Sequence, residues 1–322
     1  GRLVCMGVVL VLPYPNLTPD APAHTIDNMN PRMMSRRHFF ALSASVGAGV
    51  ALAACGGGSS SGSGADGTLQ VVKRFPQDAL VPGKVRLPIS LADKSGILGA
   101  DSKVELPETL TASVINPESG DVVIERVTAT RHDANMSVPY WPFSFTYDTE
   151  GIYLLKVDQA PESDVSFQLL LRDNVSMPLI GDALPPFDTP TVDNARGVDP
   201  ICTRSPEFCP FHSQTLTDAL KSGKPVVYLI GTPAYCTTGT CAPGLDGLIE
   251  VSKTVGNAAV FVHADVYADK SANKTAPAVQ AYKLSYEPVL YITDAEGTIV
   301  DRLDAVFDVN EIRDVLAANG IS

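Results

Sequence analysis

The hydrophobic period of this chain changes near residue 211, and this change constrains its fold more than any other feature. Between residues 68 and 174, apolar side chains alternate with polar ones in short runs separated by turn residues, which is typical of β-strands. From Phe211 onward, continuous apolar runs alternate with segments whose apolar side chains recur at helical spacing. The sequence therefore predicts an all-β region followed by a region of mixed strands and helices.

The first region, residues 68–174, contains about seven candidate strands, a number that favours a β-sandwich. Within it, the segment that ends at Tyr153 resembles the tyrosine corner of immunoglobulin-like domains, in which a Tyr hydroxyl ties a sheet edge to nearby backbone. The resemblance implies an all-β immunoglobulin-like sandwich without the family's disulfide, because this range has no cysteine. His132, its only histidine, is expected to be a solvated loop residue.

A connector and an α/β region follow. Residues 175–210 contain seven prolines and are expected to form a connector without long helices. Residues 211–322 predict the order helix, strand, helix, strand, helix, strand, strand, helix. The run at residues 226–230 is apolar throughout, as expected of a strand buried on both faces. Asp308 and Glu311 have the spacing of a capping box and predict the start of the last helix.

Cys236 and Cys241 lie between the predicted strand at 226–230 and a helix-compatible stretch. At a helix N-terminus, the macrodipole and the free N–H groups favour a thiolate, which is the reactive form of cysteine. The order of elements therefore predicts a redox-active pair. Two alternatives remain open: an inert disulfide that pins the loop, and a copper(I) site formed by both thiolates with His263.

Three features of residues 211–322 resemble the thioredoxin-like superfamily: the cysteine pair after the first strand, Pro288 just before the hairpin, and the hairpin followed by a helix. The resemblance implies an α/β thioredoxin-like fold and a cis peptide bond before Pro288. It implies thiol–disulfide exchange without a cofactor, in which Cys236 attacks and Cys241 resolves the mixed disulfide. It further implies three substrate-binding residues: Tyr235, Glu287 and Pro288. The spacing C-x4-C is two residues longer than the usual C-x-x-C of that superfamily.

Two further cysteines, Cys202 and Cys209, lie in the connector. If Cys5 and Cys55 belong to a leader and a lipid anchor, four cysteines remain, and an even number in an exported chain favours disulfides. Of the three possible connectivities, pairing between neighbours predicts a structural disulfide between Cys202 and Cys209. His212, which follows closely, is interpreted as a residue near a helix start.

The N-terminal segment has the features of an export signal. Residues 35–40 contain a twin-arginine pattern, and an apolar run follows that is shorter than the roughly twenty residues of a membrane span. The sequence Leu-Ala-Ala-Cys at 52–55 resembles a bacterial lipobox. The resemblance implies a twin-arginine lipoprotein signal peptide at residues 33–54, cleavage before Cys55, and a lipid on the sulfur of Cys55, which would anchor the protein to a membrane.

Residues 1–32 are expected to be a mis-assigned upstream start, and the Gly/Ser-rich residues 55–67 a flexible tether. The net charge is −12, and it becomes −14 without the first 54 residues, which carry four Arg and two Asp. This acidic balance argues against nucleic acid and against a basic membrane-binding patch. We therefore expect a bacterial extracytoplasmic lipoprotein, in the periplasm or at the cell surface, whose partners are thiols or disulfides of exported proteins or a redox partner protein.

Overall fold

The computed structural model describes residues 68–322, and β-structure dominates this part of the chain. Its strands form three four-stranded sheets, whereas only 16% of its residues are helical. Among the described residues, no helix is both long enough and apolar enough to cross a membrane. The predicted upstream start, signal peptide, lipidated Cys55 and tether lie outside the described residues.

Two antiparallel sheets form the N-terminal part. Strands β1, β2 and β3 are neighbours in the first sheet, with β6 paired to β2, and the second sheet has the order β5-β4-β7-β8. Both sheets contribute to one hydrophobic cluster that contains the fully buried Trp141. The Tyr153 hydroxyl donates to the carbonyl of Thr149 at 3.2 Å, the type of bond that a tyrosine corner makes. The strands are β1 (Gln70–Lys73), β2 (Gly83–Asp93), β3 (Gly96–Ile97), β4 (Thr109–Ile115), β5 (Val122–Thr130), β6 (Trp141–Tyr147), β7 (Gly151–Val157) and β8 (Val165–Leu169).

The C-terminal part contains a mixed sheet with the order β10-β9-β11-β12. Strand β10 is parallel to β9, whereas β11 is antiparallel to both β9 and β12. All five residues of β9 are buried, because Val226, Tyr228 and Ile230 pack into one hydrophobic cluster and Val227 and Leu229 into another. The elements are α1 (Leu216–Leu220), β9 (Val226–Ile230), α2 (Cys241–Val255), β10 (Val260–Ala264), α3 (Pro277–Ala281), β11 (Val289–Thr293), β12 (Ile299–Asp304) and α4 (Val309–Ala318).

The predicted fold class, an immunoglobulin-like sandwich followed by an α/β thioredoxin-like domain, is wrong. The described chain is mostly β-sheet, and its C-terminal region is β-rich with few helices. Helices α1 and α3 each have only five residues, little more than one turn. Each ends early because a residue with left-handed backbone follows, Gly223 with φ of 66° and Lys283 with φ of 50°. The helical spacing of apolar residues correctly located these two helices but did not predict how short they are.

A buried polar network joins β2 to α4. Arg86 on β2 forms an ion pair with Glu311, with 2.7 Å between Nε and Oε1, and the Tyr140 hydroxyl donates to Glu311 Oε2 at 2.6 Å. His132 contacts Asp308 at 2.8 Å between Nδ1 and Oδ1. His132 is therefore not the solvated loop residue predicted from the sequence, since only 15% of its side chain is exposed. Hydrogen bonds to charged partners of this kind are stronger than neutral ones.

Two glycines allow α2 to approach the chain around α4. A Cβ atom added to Gly244 would lie 2.9 Å from Cε2 of Phe307, and one added to Gly247 would lie 3.1 Å from Cα of Val309. Real Cβ atoms rarely make contacts this close, so a side chain at either position would force its neighbour to shift. This packing fixes the first turn of α2, which carries Cys241.

Candidate functional site

The loop between β9 and α2 brings Cys236 and Cys241 together. Cys241 is the first residue of α2 and is 1% exposed, whereas Cys236 lies in the loop and is partly exposed. The two cysteines approach each other to 2.6 Å, which is longer than a disulfide bond of about 2.05 Å. Both are free thiols in this structure. The structure thus shows the dithiol form of the pair, in which Cys236 is partly exposed and Cys241 is buried.

The surroundings of Cys236 favour its thiolate. Its Sγ atom lies 3.2 Å from the Thr238 hydroxyl oxygen. It also accepts hydrogen bonds from the backbone N–H groups of Thr240 and Cys241 at the start of α2. A hydrogen bond from the Cys241 thiol, followed by those from Thr238 and the backbone, lowers the pKa of Cys236 to about 4, although burial opposes the shift. Unpaired N–H groups and the helix macrodipole are the known means of stabilising a reactive thiolate.

Glu287 provides the third polar group of the site. Its Oε2 atom lies 3.5 Å from Sγ of Cys241 and accepts a hydrogen bond from the backbone N–H of Thr232 at 2.7 Å. Burial, followed by the negative charge on Cys236, raises the pKa of Glu287 to about 8. Burial also raises the pKa of Cys241 well above its usual value. A buried thiol thus faces a carboxyl group whose pKa is close to neutral pH.

The other predicted site residues surround this pair. The Glu287–Pro288 peptide bond is cis, and Pro288 lies so close to Gly231 that a Cβ atom on the glycine would be 3.1 Å from Cβ of Pro288. The Tyr235 hydroxyl donates to the carbonyl of Lys270 at 2.8 Å, and its ring packs edge-on against another tyrosine. Tyr235 is therefore fixed to the loop after β10.

His263 does not join these thiols. The three residues whose ligand atoms converge at this site are Cys236, Cys241 and Glu287, so the copper(I) set predicted with His263 is not assembled. His263 lies instead in a second cluster with Cys202, Cys209 and His212, in which all four residues are buried and their ligand atoms lie within 4.8 Å of one another. Cys202, Cys209 and His212 are close together in the sequence, whereas His263 is distant from them.

Cys202 and Cys209 are free thiols, so the structural disulfide predicted between them is not formed in this structure. The Sγ atom of Cys209 instead lies 3.4 Å from Nδ1 of His263. The spacing C-x6-C-x2-H indicates that Cys202, Cys209 and His212 could share one site. The fourth residue of that site, His263, comes from a strand distant in the sequence.

A scan against models of protein families and a search of curated proteins find no match for this chain. The function is therefore inferred from the chemistry of these two clusters alone. Only the first has an accessible sulfur, since Cys236 is partly exposed and every member of the second cluster is buried.

Proposed function

We propose that this protein performs thiol–disulfide exchange through Cys236 and Cys241. The observation that carries the proposal is the contrast between the two thiols. Cys236 is partly exposed and its pKa is lowered to about 4, while the neighbouring Cys241 is buried and its pKa is raised. An exposed thiolate beside a protected thiol is the arrangement that exchange through a mixed disulfide requires.

The first step transfers one bond between sulfurs. The Cys236 thiolate attacks one sulfur of a partner disulfide, so that a new S–S bond joins Cys236 to the partner while the partner's own S–S bond breaks. The departing partner sulfur leaves as a thiolate and takes a proton from solvent. A partly exposed Cys236 suits this step, because the partner must reach its sulfur.

The second step releases the partner. Cys241 loses its proton to Glu287, and its sulfur attacks Cys236 to form the Cys236–Cys241 disulfide. The second partner sulfur leaves with the electron pair and is protonated. Two electrons thus pass from the protein dithiol to the partner disulfide, and a dithiol reductant must restore the protein. The same steps run in reverse if a partner dithiol meets the oxidised protein.

The partner in this proposal is a thiol or disulfide of an exported protein, or a redox protein. The motivation is the twin-arginine pattern and the lipobox-like Cys55, which favour an extracytoplasmic protein held at a membrane by a lipid. Copper(I) chaperoning is less favoured at this site, because its third ligand is the carboxylate of Glu287, and soft cations prefer sulfur or imidazole.

The decisive test is the reactivity of the reduced protein. We expect iodoacetamide to modify Cys236 with a rate that follows the titration of a thiol with a pKa of about 4, read by mass spectrometry of the cysteine peptides. We expect Cys236→Ser to abolish reduction of a model disulfide and Cys241→Ser to trap the mixed disulfide. An alkylation midpoint near the ordinary cysteine value of about 8.5 would contradict the proposal. Unchanged reduction by the Cys236→Ser protein would contradict it independently.

A further inference from the structure

Four buried side chains converge in a second cluster, and none of them takes part in the proposed exchange. Cys202 and Cys209 come from the connector, His212 precedes α1, and His263 lies on β10. We propose that these four residues bind one Zn²⁺ ion in a closed tetrahedral site. The inference does not depend on the proposed redox function, because it involves a different set of ligands.

Two distances within the cluster match edges of a zinc tetrahedron, and all the ligand atoms lie within 4.8 Å of one another. Nε2 of His212 lies 3.1 Å from Nδ1 of His263, and Sγ of Cys209 lies 3.4 Å from the same Nδ1 atom. A tetrahedron with Zn–N of about 2.0–2.1 Å and Zn–S of about 2.3 Å has N–N edges of about 3.3 Å and N–S edges of about 3.5 Å. One ion at the centre would therefore reach these three ligand atoms without a rearrangement of the backbone.

The outer ring nitrogens of both histidines are already bound. Nε2 of His263 donates to the carbonyl of Gly231 at 2.9 Å, and Nδ1 of His212 donates to the carbonyl of Pro190 at 3.3 Å. A carbonyl oxygen only accepts, so these nitrogens carry the protons. In two neutral imidazoles, the inward nitrogens then present lone pairs to each other at 3.1 Å, an arrangement that a shared cation stabilises. Metal-binding histidines typically make such outer hydrogen bonds.

The donor set selects the metal. Two sulfurs and two imidazole nitrogens favour zinc among the common divalent ions, because structural zinc takes four such ligands in a tetrahedron. All four ligands come from the protein and all are buried, which is the pattern of a structural site without an open position for substrate. The ion would fasten the proline-rich connector to β10. The adjacent Thr203 supports this attachment, because its backbone N–H donates to Asp265 at 2.8 Å.

Metal analysis of the wild-type chain is the primary test. We expect protein that is purified under reducing conditions with zinc in the medium to retain one Zn²⁺ per chain, and X-ray absorption to show two sulfur and two nitrogen neighbours. Replacement by Co²⁺ should give thiolate charge-transfer bands and the ligand-field bands of a tetrahedral site. Protein that binds no zinc, with Cys202 and Cys209 joined by a disulfide or paired as thiolate with an imidazolium, would overturn the proposal.

Substitution locates the site. We expect Cys209→Ser to weaken zinc binding by more than about 100-fold, since loss of an outer-shell partner alone costs about 10- to 100-fold. The matched control is Cys236→Ser, which makes the same chemical change at the other cluster and should retain the full zinc content. If Cys209→Ser fails to fold, the cobalt spectrum of the wild-type chain still decides the question. Zinc that is lost in Cys236→Ser and kept in Cys209→Ser would place the metal at the dithiol site and refute the assignment.

Discussion

Replacement of Glu287 by glutamine tests whether this carboxyl group takes the proton of Cys241. With a pKa of about 8, Glu287 is ionised in roughly one-tenth of the molecules at pH 7 while Cys236 is a thiolate. The negative charge of Cys236 contributes to this high pKa and disappears when the mixed disulfide forms. The pKa of Glu287 then falls, and its ionised fraction at pH 7 can rise by up to about tenfold. More of the molecules therefore carry Glu287 in its ionised, proton-accepting form at the resolving step.

Glu287→Gln removes this base but retains a side-chain oxygen that can accept from Thr232. Since a positioned general base contributes roughly 10²- to 10⁴-fold to a rate, we expect the resolving step to slow by at least about 100-fold at pH 7. Stopped-flow reaction of the reduced protein with the aromatic disulfide DTNB separates the two steps. The first release of the coloured thiolate reports attack by Cys236, and the second reports resolution by Cys241.

We expect Glu287→Gln to leave the first phase unchanged and to shift the second phase to higher pH. The reason is that Cys241 must then ionise without help, and burial raises its pKa. Glu296→Gln is the matched control, because Glu296 is an exposed residue in the turn between β11 and β12, and it should preserve both phases. A second phase of normal rate in Glu287→Gln would refute the role of Glu287. Equal slowing of both phases would refute it as well.

Two further predictions concern stability. Gly244→Ala gains about 1 kcal/mol of helix propensity, but overpacking against the fully buried Phe307 costs about 1–3 kcal/mol, so we expect the unfolding free energy in urea to fall by about 1 kcal/mol. In a Phe307→Leu background this cost should shrink, and an undiminished cost would contradict the predicted clash. Burial lowers the pKa of His132, but its hydrogen bond to Asp308 and the negative charges of Glu311 and Asp308 together raise it above the usual value. The stabilisation from this charged pair is therefore complete below the unfolded pKa of 6.5 and disappears as pH rises through the higher folded value. His132→Ala should cost about 1.5–3 kcal/mol at pH 6 and less at pH 9 in urea unfolding, whereas a cost independent of pH would exclude the charged pair.

The sequence predicted local elements well because their causes are local. The continuous apolar run of β9 is buried at all five positions, and Asp308 caps α4 by accepting from the N–H of Glu311 at 2.8 Å. Helix α2 begins at Cys241, and Pro243 is tolerated in its first turn because the N–H groups there need no partner within the helix. The fold class was wrong because helical spacing does not reveal where a helix stops.

The buried cysteine–histidine cluster could not be predicted from spacing. His263 reaches the cluster only because β10 pairs in parallel with β9 and aligns His263 with Leu229. That register depends on packing across the whole sheet, whereas the motif around Cys202 and Cys209 is local. For the same reason, the sequence assigned His263 to the wrong pair of thiols.

Gly231 forms a bridge between the two clusters and limits how they can be dissected. Its carbonyl accepts a hydrogen bond from the ring of His263, while a Cβ atom added to it would lie 3.1 Å from Cβ of Pro288 and 3.8 Å from Cβ of Cys241. An experimenter who replaced the histidine would release this peptide and disturb both sites at once, so any change in thiol reactivity would have two causes. Cysteine replacements in the connector leave the peptide anchored and give the cleaner separation of metal binding from sulfur chemistry.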